Sequence, residues 1–151
     1  MPASLNRITA KDNHYLKLLR SLAARKGRAV SGLFLVEGLR LAEEAHSSGW
    51  PLKFGLVNED SLAEPRLNRL LDRLAASGLP MYSAPPALFA GAADTQHPQG
   101  ILLAAEQAEE KTPARPARPA YYAYLDAVAD PGNLGAIVRS AYAAGAAGLI
   151  L

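Results

Sequence analysis

The run Asp126-Ala-Val-Ala-Asp-Pro-Gly-Asn-Leu-Gly-Ala-Ile-Val-Arg139 has the form of a strand end, a tight turn and a helix start. Pro131 and Gly132 are turn formers, and Asn133 carries a side-chain oxygen able to cap the helix that follows. At such turns α/β folds display backbone donors to ligands. Around it, residues 121–128 read as a strand, residues 133–144 as a helix and residues 147–151 as a second strand, which makes one βαβ unit. Its apolar strands need neighbours on both faces, and Leu149, Ile150 and Leu151 are still entering the sheet at the last residue. The expectation is therefore the first part of a truncated domain.

Working outward, residues 109–120 break all apolar periodicity with three prolines, three basic residues and alanines, and residues 107–120 are expected to form an extended interdomain linker. Before it, residues 1–106 alternate helix and strand. Tyr15, Leu18, Leu19, Leu22 and Ala23 recur at helical spacing and predict one amphipathic helix over about residues 12–26, with Gly27 placed to stop it. Strand-like runs follow at residues 32–37, 52–57, 81–83 and 100–106. Helical runs lie at residues 37–46, at 65–77 with Pro65 in the first turn and Leu67, Leu70, Leu71 and Leu74 on one face, and at 85–90. The alternation predicts a small α/β/α domain with a largely parallel sheet between helices.

Composition narrows the function classes. Half of the residues are hydrophobic and a fifth are charged, as in chains that bury a core. No run of about 18 apolar residues is present and the start of the chain has no apolar signal core, so a cytoplasmic protein without membrane partners is expected. Zero cysteines exclude disulfides and thiolate metal sites, and His14, His46 and His97 are too far apart for a local ligand pair, so no metal site is expected.

Charge is strongly polarised: residues 1–28 hold seven basic side chains against one acidic, while the remainder holds nine against thirteen. A phosphate-bearing partner would be drawn to the basic end. Equally, Arg25, Lys26 and Arg28 could be a solvated face that favours the negative end of a helix dipole.

Within the deciding run, Arg139 has Gly135, Ala136 and Ala143 as its i−4, i−3 and i+4 neighbours. A guanidinium among small side chains can be approached closely by a bulky backbone and can hold phosphate or a ribose oxygen through several donors. Spacing alone favours an ordinary surface arginine and names no reaction. Gly132 and Gly135 do not form the G-x-G-x-x-G pattern of dinucleotide sites, and no phosphate-loop lysine follows.

The pattern Leu125-Asp-x-Val-x-Asp-Pro-x-Asn-x-Gly-Ala-Ile-x-Arg139, followed by Ala141, Ala144 and Gly145, closely resembles the first motif of the SpoU (TrmH-like) family. This family belongs to the SPOUT superfamily of knotted methyltransferases, which use S-adenosylmethionine to methylate the ribose 2′-hydroxyl of transfer or ribosomal RNA. Upstream, Asn13, Lys17, Leu22, Lys26, Arg28, Phe34, Glu37, Gly38 and Leu41 are similar to the family's N-terminal substrate-binding domain, as is Thr95-Gln-His-Pro-Gln-Gly100. On their own, Glu37-Gly38 also reads as a helix start and Pro98-Gln-Gly100 as a loop entering a strand.

The resemblance implies a ribosomal-protein-like RNA-binding domain over residues 1–106, a linker over 107–120 and the N-terminal part of a methyltransferase domain over 121–151. It implies Arg139 as the catalytic residue, with Asn133 in the same active site. Lys11, Lys17, Arg20, Arg25, Lys26 and Arg28 become the expected RNA contacts, positioning the substrate without reading its sequence. The motifs that build the knot and most of the S-adenosylmethionine pocket have no counterpart here, so cofactor ligands are expected beyond Leu151. This chain alone is expected to be inactive. A homodimer is implied for the complete enzyme, and a noncatalytic RNA-binding module is the alternative.

Overall fold

The computed structural model describes residues 5–95, 98–108 and 120–151. The chain divides into two compact units, Met1–Glu109 and Glu110–Leu151. Most of the expected linker, together with Gln96 and His97 of the Thr95–Gly100 run, lies outside the described residues.

The first unit begins with β1 (Asn6–Arg7), α1 (His14–Ser21), α2 (Arg25–Ser31), β2 (Leu33–Glu37), α3 (Leu39–Ser47) and β3 (Leu52–Asn58). A 3-10 turn at Glu59–Ala63 leads to α4 (Pro65–Ala76), β4 (Met81–Ala84), α5 (Pro86–Ala90) and β5 (Ile101–Glu106). Alternate residues of the central strands enter opposite clusters. Phe54, Leu56, Leu102 and Ala104 pack with Leu16, Leu19, Leu88 and Phe89 on one face. Val57, Ile101, Leu103 and Ala105 pack with Leu39, Ala42 and the α4 leucines on the other. The result is the α/β/α sandwich expected, with α1 and α5 on one side of the sheet and α3 and α4 on the other. In α4, Pro65 occupies the first turn and Leu67, Leu70, Leu71 and Leu74 are all buried, each contributing about 1.5–3 kcal/mol of apolar burial.

The sheet differs from the largely parallel one that alternation suggests. Its order is β1-β4-β3-β5-β2, and β5 lies antiparallel to both β2 and β3. The link from Ala84 to Ile101 carries only the five-residue α5, which packs on the same face as α1, and the chain re-enters the sheet from the edge it has just left. Among the described residues of this sheet, only β1–β4 and β3–β4 are parallel.

The single helix expected over residues 12–26 is two helices. Asn13 caps α1 by accepting from Tyr15 N at 2.9 Å, and α1 ends at Ser21. The Arg28 guanidinium then donates to the carbonyls of Leu22 and Ala23 at 2.9 and 2.8 Å, satisfying acceptors that a continuing helix would have used. Gly27 does not stop the first helix. It lies inside α2, where a Cβ would stand 1.9 Å from the Ser21 carbonyl oxygen, so only glycine allows the two helices to meet. The actual stop is Gly32, at φ 67°.

The second unit is a βαβ motif of β6 (Tyr122–Tyr124), α6 (Pro131–Ala143) and β7 (Gly148–Ile150), with β6 and β7 parallel. Among residues 120–151 none is buried, and Tyr124, Tyr142 and Leu151 are 71%, 84% and 79% exposed.

Candidate functional site

In the second unit the sequence builds a fixed turn before α6. Pro131 takes the first helical position, where its missing N–H costs nothing. The cap is Asp130, whose Oδ1 accepts from Asn133 N at 2.7 Å. This corrects the expectation that Asn133 caps the helix: Asn133 stands inside the first turn, exposed, with its side chain left available. Upstream, Ala127 holds φ 55°, a left-handed conformation uncommon for any residue but glycine.

Arg139 is exposed on α6. Its Nη1 lies 3.3 Å from where a Cβ on Gly135 would stand, so the guanidinium folds back over the preceding turn. Asn133 and Arg139 are six residues apart, which puts them about 120° apart around the helix. The backward lean of Arg139 carries its charge toward the capped turn that holds Asn133. Beyond the helix, the Tyr121 hydroxyl donates to the Ala144 carbonyl, tying the base of β6 to the end of α6.

In the first unit the six basic residues lie on the turn before α1, on α1 and on α2. Arg20 donates to the Lys11 carbonyl at 3.1 Å and to the Gly91 carbonyl at 3.0 Å, so these two positions adjoin. Lys17 is exposed on α1. Arg25 and Lys26 occupy the first turn of α2, against the helix dipole rather than with it, while Arg28 serves the carbonyl end of α1 as the dipole argument anticipates. α2 runs directly into Leu33, at the edge of the sheet where β2 begins. None of the six forms an ion pair among the described residues.

The opposite edge carries a feature that charge patterning does not reveal. Here β2 ends, α3 and α4 begin and the chain enters β5, and an open cleft of ≈ 550 Å³ is lined by Leu39, Arg40, Ser61, Glu64, Arg66 and the Pro98–Gly100 turn. Glu37 and Gly38 adjoin it. Glu37 accepts from Asp94 N at 2.9 Å and from the Thr95 hydroxyl, and Gly38 N donates to the Ile101 carbonyl at 3.0 Å. The two short sequence signals at residues 37–38 and 98–100 thus meet in space. They are also the helix start and the loop into a strand that each suggests locally. Arg40 and Ser61 carry no signal in the sequence beyond being polar.

The first unit is thus a three-layer α/β domain with exposed basic residues on and before α1 and at the start of α2, and the second a βαβ unit whose turn presents an asparagine and a folded-back arginine. The chain belongs to the MRM3-like substrate binding domain family, whose model matches residues 13–103. It is 31% identical over 147 residues to the 23S rRNA (guanosine(2553)-2′-O)-methyltransferase RlmP of Bacillus subtilis (strain 168), covering 97% of this chain and 54% of that protein. Its fold superposes on a crystal structure of an RNA 2′-O ribose methyltransferase with a TM-score of 0.72 at 33% identity, covering 95% of this chain and 54% of the other. The SpoU methyltransferase AviRb from Streptomyces viridochromogenes, solved in complex with AdoMet, gives a TM-score of 0.68 at 26% identity over 91% of this chain and 52% of that one. The chain therefore spans about half the length of the relatives it matches.

Proposed function

We propose that this chain is the RNA-binding domain and the start of the catalytic domain of an S-adenosylmethionine-dependent 2′-O-ribose methyltransferase acting on ribosomal or transfer RNA. The observation that carries the reading is the Arg139 guanidinium lying over Gly135, beside a helix start capped by Asp130 and displaying Asn133. A ribose hydroxyl is a poor nucleophile until its deprotonation is assisted, and a fixed cation next to it stabilises developing oxyanion character. Arg139 takes that role, with Asn133 in the same active site. Lys11, Lys17, Arg25 and Lys26 supply phosphate contacts that position the RNA, and the outward donors of Arg20 and Arg28 add to them.

S-adenosylmethionine is the methyl donor of the complete enzyme. Residues 120–151 do not fit it by themselves: with no buried residue among them they cannot wall a pocket. The ligands are proposed to follow Leu151, and the complete enzyme to work as a cytoplasmic homodimer. No helix among the described residues is long and apolar enough to cross a membrane. A noncatalytic RNA-binding module is favoured only by the bareness of the second unit.

Salt-dependent RNA binding tests the first unit. Affinity of the 151-residue chain should fall steeply with salt, and reversing Lys17, Arg25 and Lys26 together should reduce the slope by about one per lost phosphate contact. An unchanged slope would remove these residues from the interface. Extending the reading frame to the length of the relatives and measuring methyl transfer, with Arg139→Ala inactive, separates the enzyme from the module.

A further inference from the structure

We propose that the cleft at the carboxyl edge of the first unit's sheet binds one unpaired nucleotide of the RNA substrate, with Arg40 on the phosphate and Ser61, Glu64 and Gln99 on sugar and base. This rests on the RNA-binding reading above but places a second contact region away from the basic helices. The cleft of ≈ 550 Å³ falls in the range of about 300–1,000 Å³ typical of sites for small molecules.

The lining has the required chemistry. Arg66 is bound to Glu43 through two hydrogen bonds, so its charge is already met. Arg40, exposed at the cleft, makes no hydrogen bond or ion pair among the described residues and is the cation left for an anion. A hydroxyl, an amide and a carboxylate stand around it, with Leu39 and Pro98 as apolar surface. The Glu64 carboxylate opposes a dense anion such as free polyphosphate. It suits a singly charged phosphodiester whose ribose hydroxyl and base N–H groups need acceptors.

The walls are held in place. Gly38 and Gly100 have φ 95° and 70°, and a Cβ on Gly100 would stand 2.7 Å from Ser61 Oγ, so only glycine leaves that hydroxyl where it is. Asn58 N donates to the Gly100 carbonyl at 2.9 Å, and the Asn58 side chain accepts from Asp60 N at 3.2 Å. Such tethering lowers the ordering cost of binding. The cleft is also separable from α2. β2 runs the five residues Leu33–Glu37 between the two edges, about 13 Å, which exceeds the Debye length at physiological salt.

Titrating the isotope-labelled 151-residue chain with a single-stranded RNA of about ten nucleotides, and with the same sequence as a duplex, tests the proposal. The single strand should shift the amides of Leu39, Arg40, Ser61 and Gly100, and the duplex should not. Arg40→Ala should weaken single-strand binding roughly tenfold while preserving the dispersed spectrum of the folded chain, and Arg40→Lys should recover part of it. Full affinity in Arg40→Ala with unmoved cleft amides would overturn the cleft and leave the basic helices as the interface. Equal weakening for both RNAs without cleft shifts would reduce Arg40 to general charge and also overturn it. If neither RNA binds, the RNA-binding reading falls with it.

Discussion

The Arg139 guanidinium occupies the space that a side chain at Gly135 would claim, with Nη1 3.3 Å from that missing Cβ. The glycine costs the helix stability, since glycine inside a helix is about 0.5–1 kcal/mol worse than alanine. Gly135→Ala should therefore raise the thermal stability of α6 while displacing the arginine by a few tenths of an ångström. Misplacement of about 1 Å can cost on the order of a hundredfold in rate, so a several-fold loss of kcat is expected in the chain extended to the length of its relatives. A gain in stability with unchanged methyl transfer would show that Gly135 does not position Arg139.

The corner between α1 and α2 gives the largest expected destabilisation. In Gly27→Ala the new methyl would meet the Ser21 carbonyl oxygen at 1.9 Å, a backbone atom that cannot rotate away. The helices must separate, at a cost of about 1–3 kcal/mol. Arg28→Ala leaves two helix-end carbonyls without their donor and should cost about 1–3 kcal/mol. Urea unfolding followed by circular dichroism measures both. An Arg28→Ala variant as stable as the parent would return Arg28 to the set of purely solvated cations.

This corner also marks the limit of what the sequence discloses. The α4 leucines could be read directly, because their spacing, Pro65 and Gly78 all agree. At residues 22–27 the apolar period continues through buried Leu22, and Gly27 imitates a helix stop; that it is a close-approach glycine depends on where α2 crosses Ser21. The cap of α6 was within reach: Pro131 belongs at the first helical position, which makes the residue before it, Asp130, the cap. The reversal of β5 has no local signal, and Arg40 and Ser61 meet Gly100 only once it has occurred. Arg139 stands out through the motif it shares with the SpoU family, since its small neighbours alone fit an ordinary surface arginine as well.

Ion pairs set the acid response of the first unit. Hydrogen bonds from Arg66, then its charge, hold the Glu43 carboxyl below the usual carboxylate range; Arg7 does the same to Glu59, with Nε to Oε1 at 2.7 Å. Because both carboxyls bind protons more weakly when folded than unfolded, their stabilisation is complete above about pH 4.5 and is lost as pH falls through their folded values. The effect is small because both pairs are exposed. Glu43→Gln with Glu59→Gln should reduce the difference between urea midpoints at pH 7 and pH 3.5. At the alkaline end, burial first and then the neighbouring Tyr15, whose ring centroid lies 4.2 Å away, push the Tyr82 phenol up to about 12. The unfolded phenol ionises near 10, so stability should fall between those values, and Tyr82→Phe should flatten that limb.

The second unit makes a prediction about the cofactor that separates the family's chemistry from this chain's capacity. A cofactor pocket must enclose most of its ligand, with 70–90% of a drug-sized molecule's surface typically buried. Residues 120–151 contain no buried side chain, and Tyr142 and Leu151 stand 84% and 79% exposed. Calorimetric titration of the 151-residue chain with S-adenosylmethionine should therefore give no saturable heat, while a chain extended to the length of its relatives should bind one equivalent per protomer. Arg139→Ala in the extended chain should leave that binding near the parent value and abolish methyl transfer, because the role proposed for the arginine is on the ribose hydroxyl and not on the methyl donor. Stoichiometric binding by the 151-residue chain would mean that the exposed βαβ unit rearranges to enclose the cofactor, and the assignment of its ligands to residues after Leu151 would be wrong.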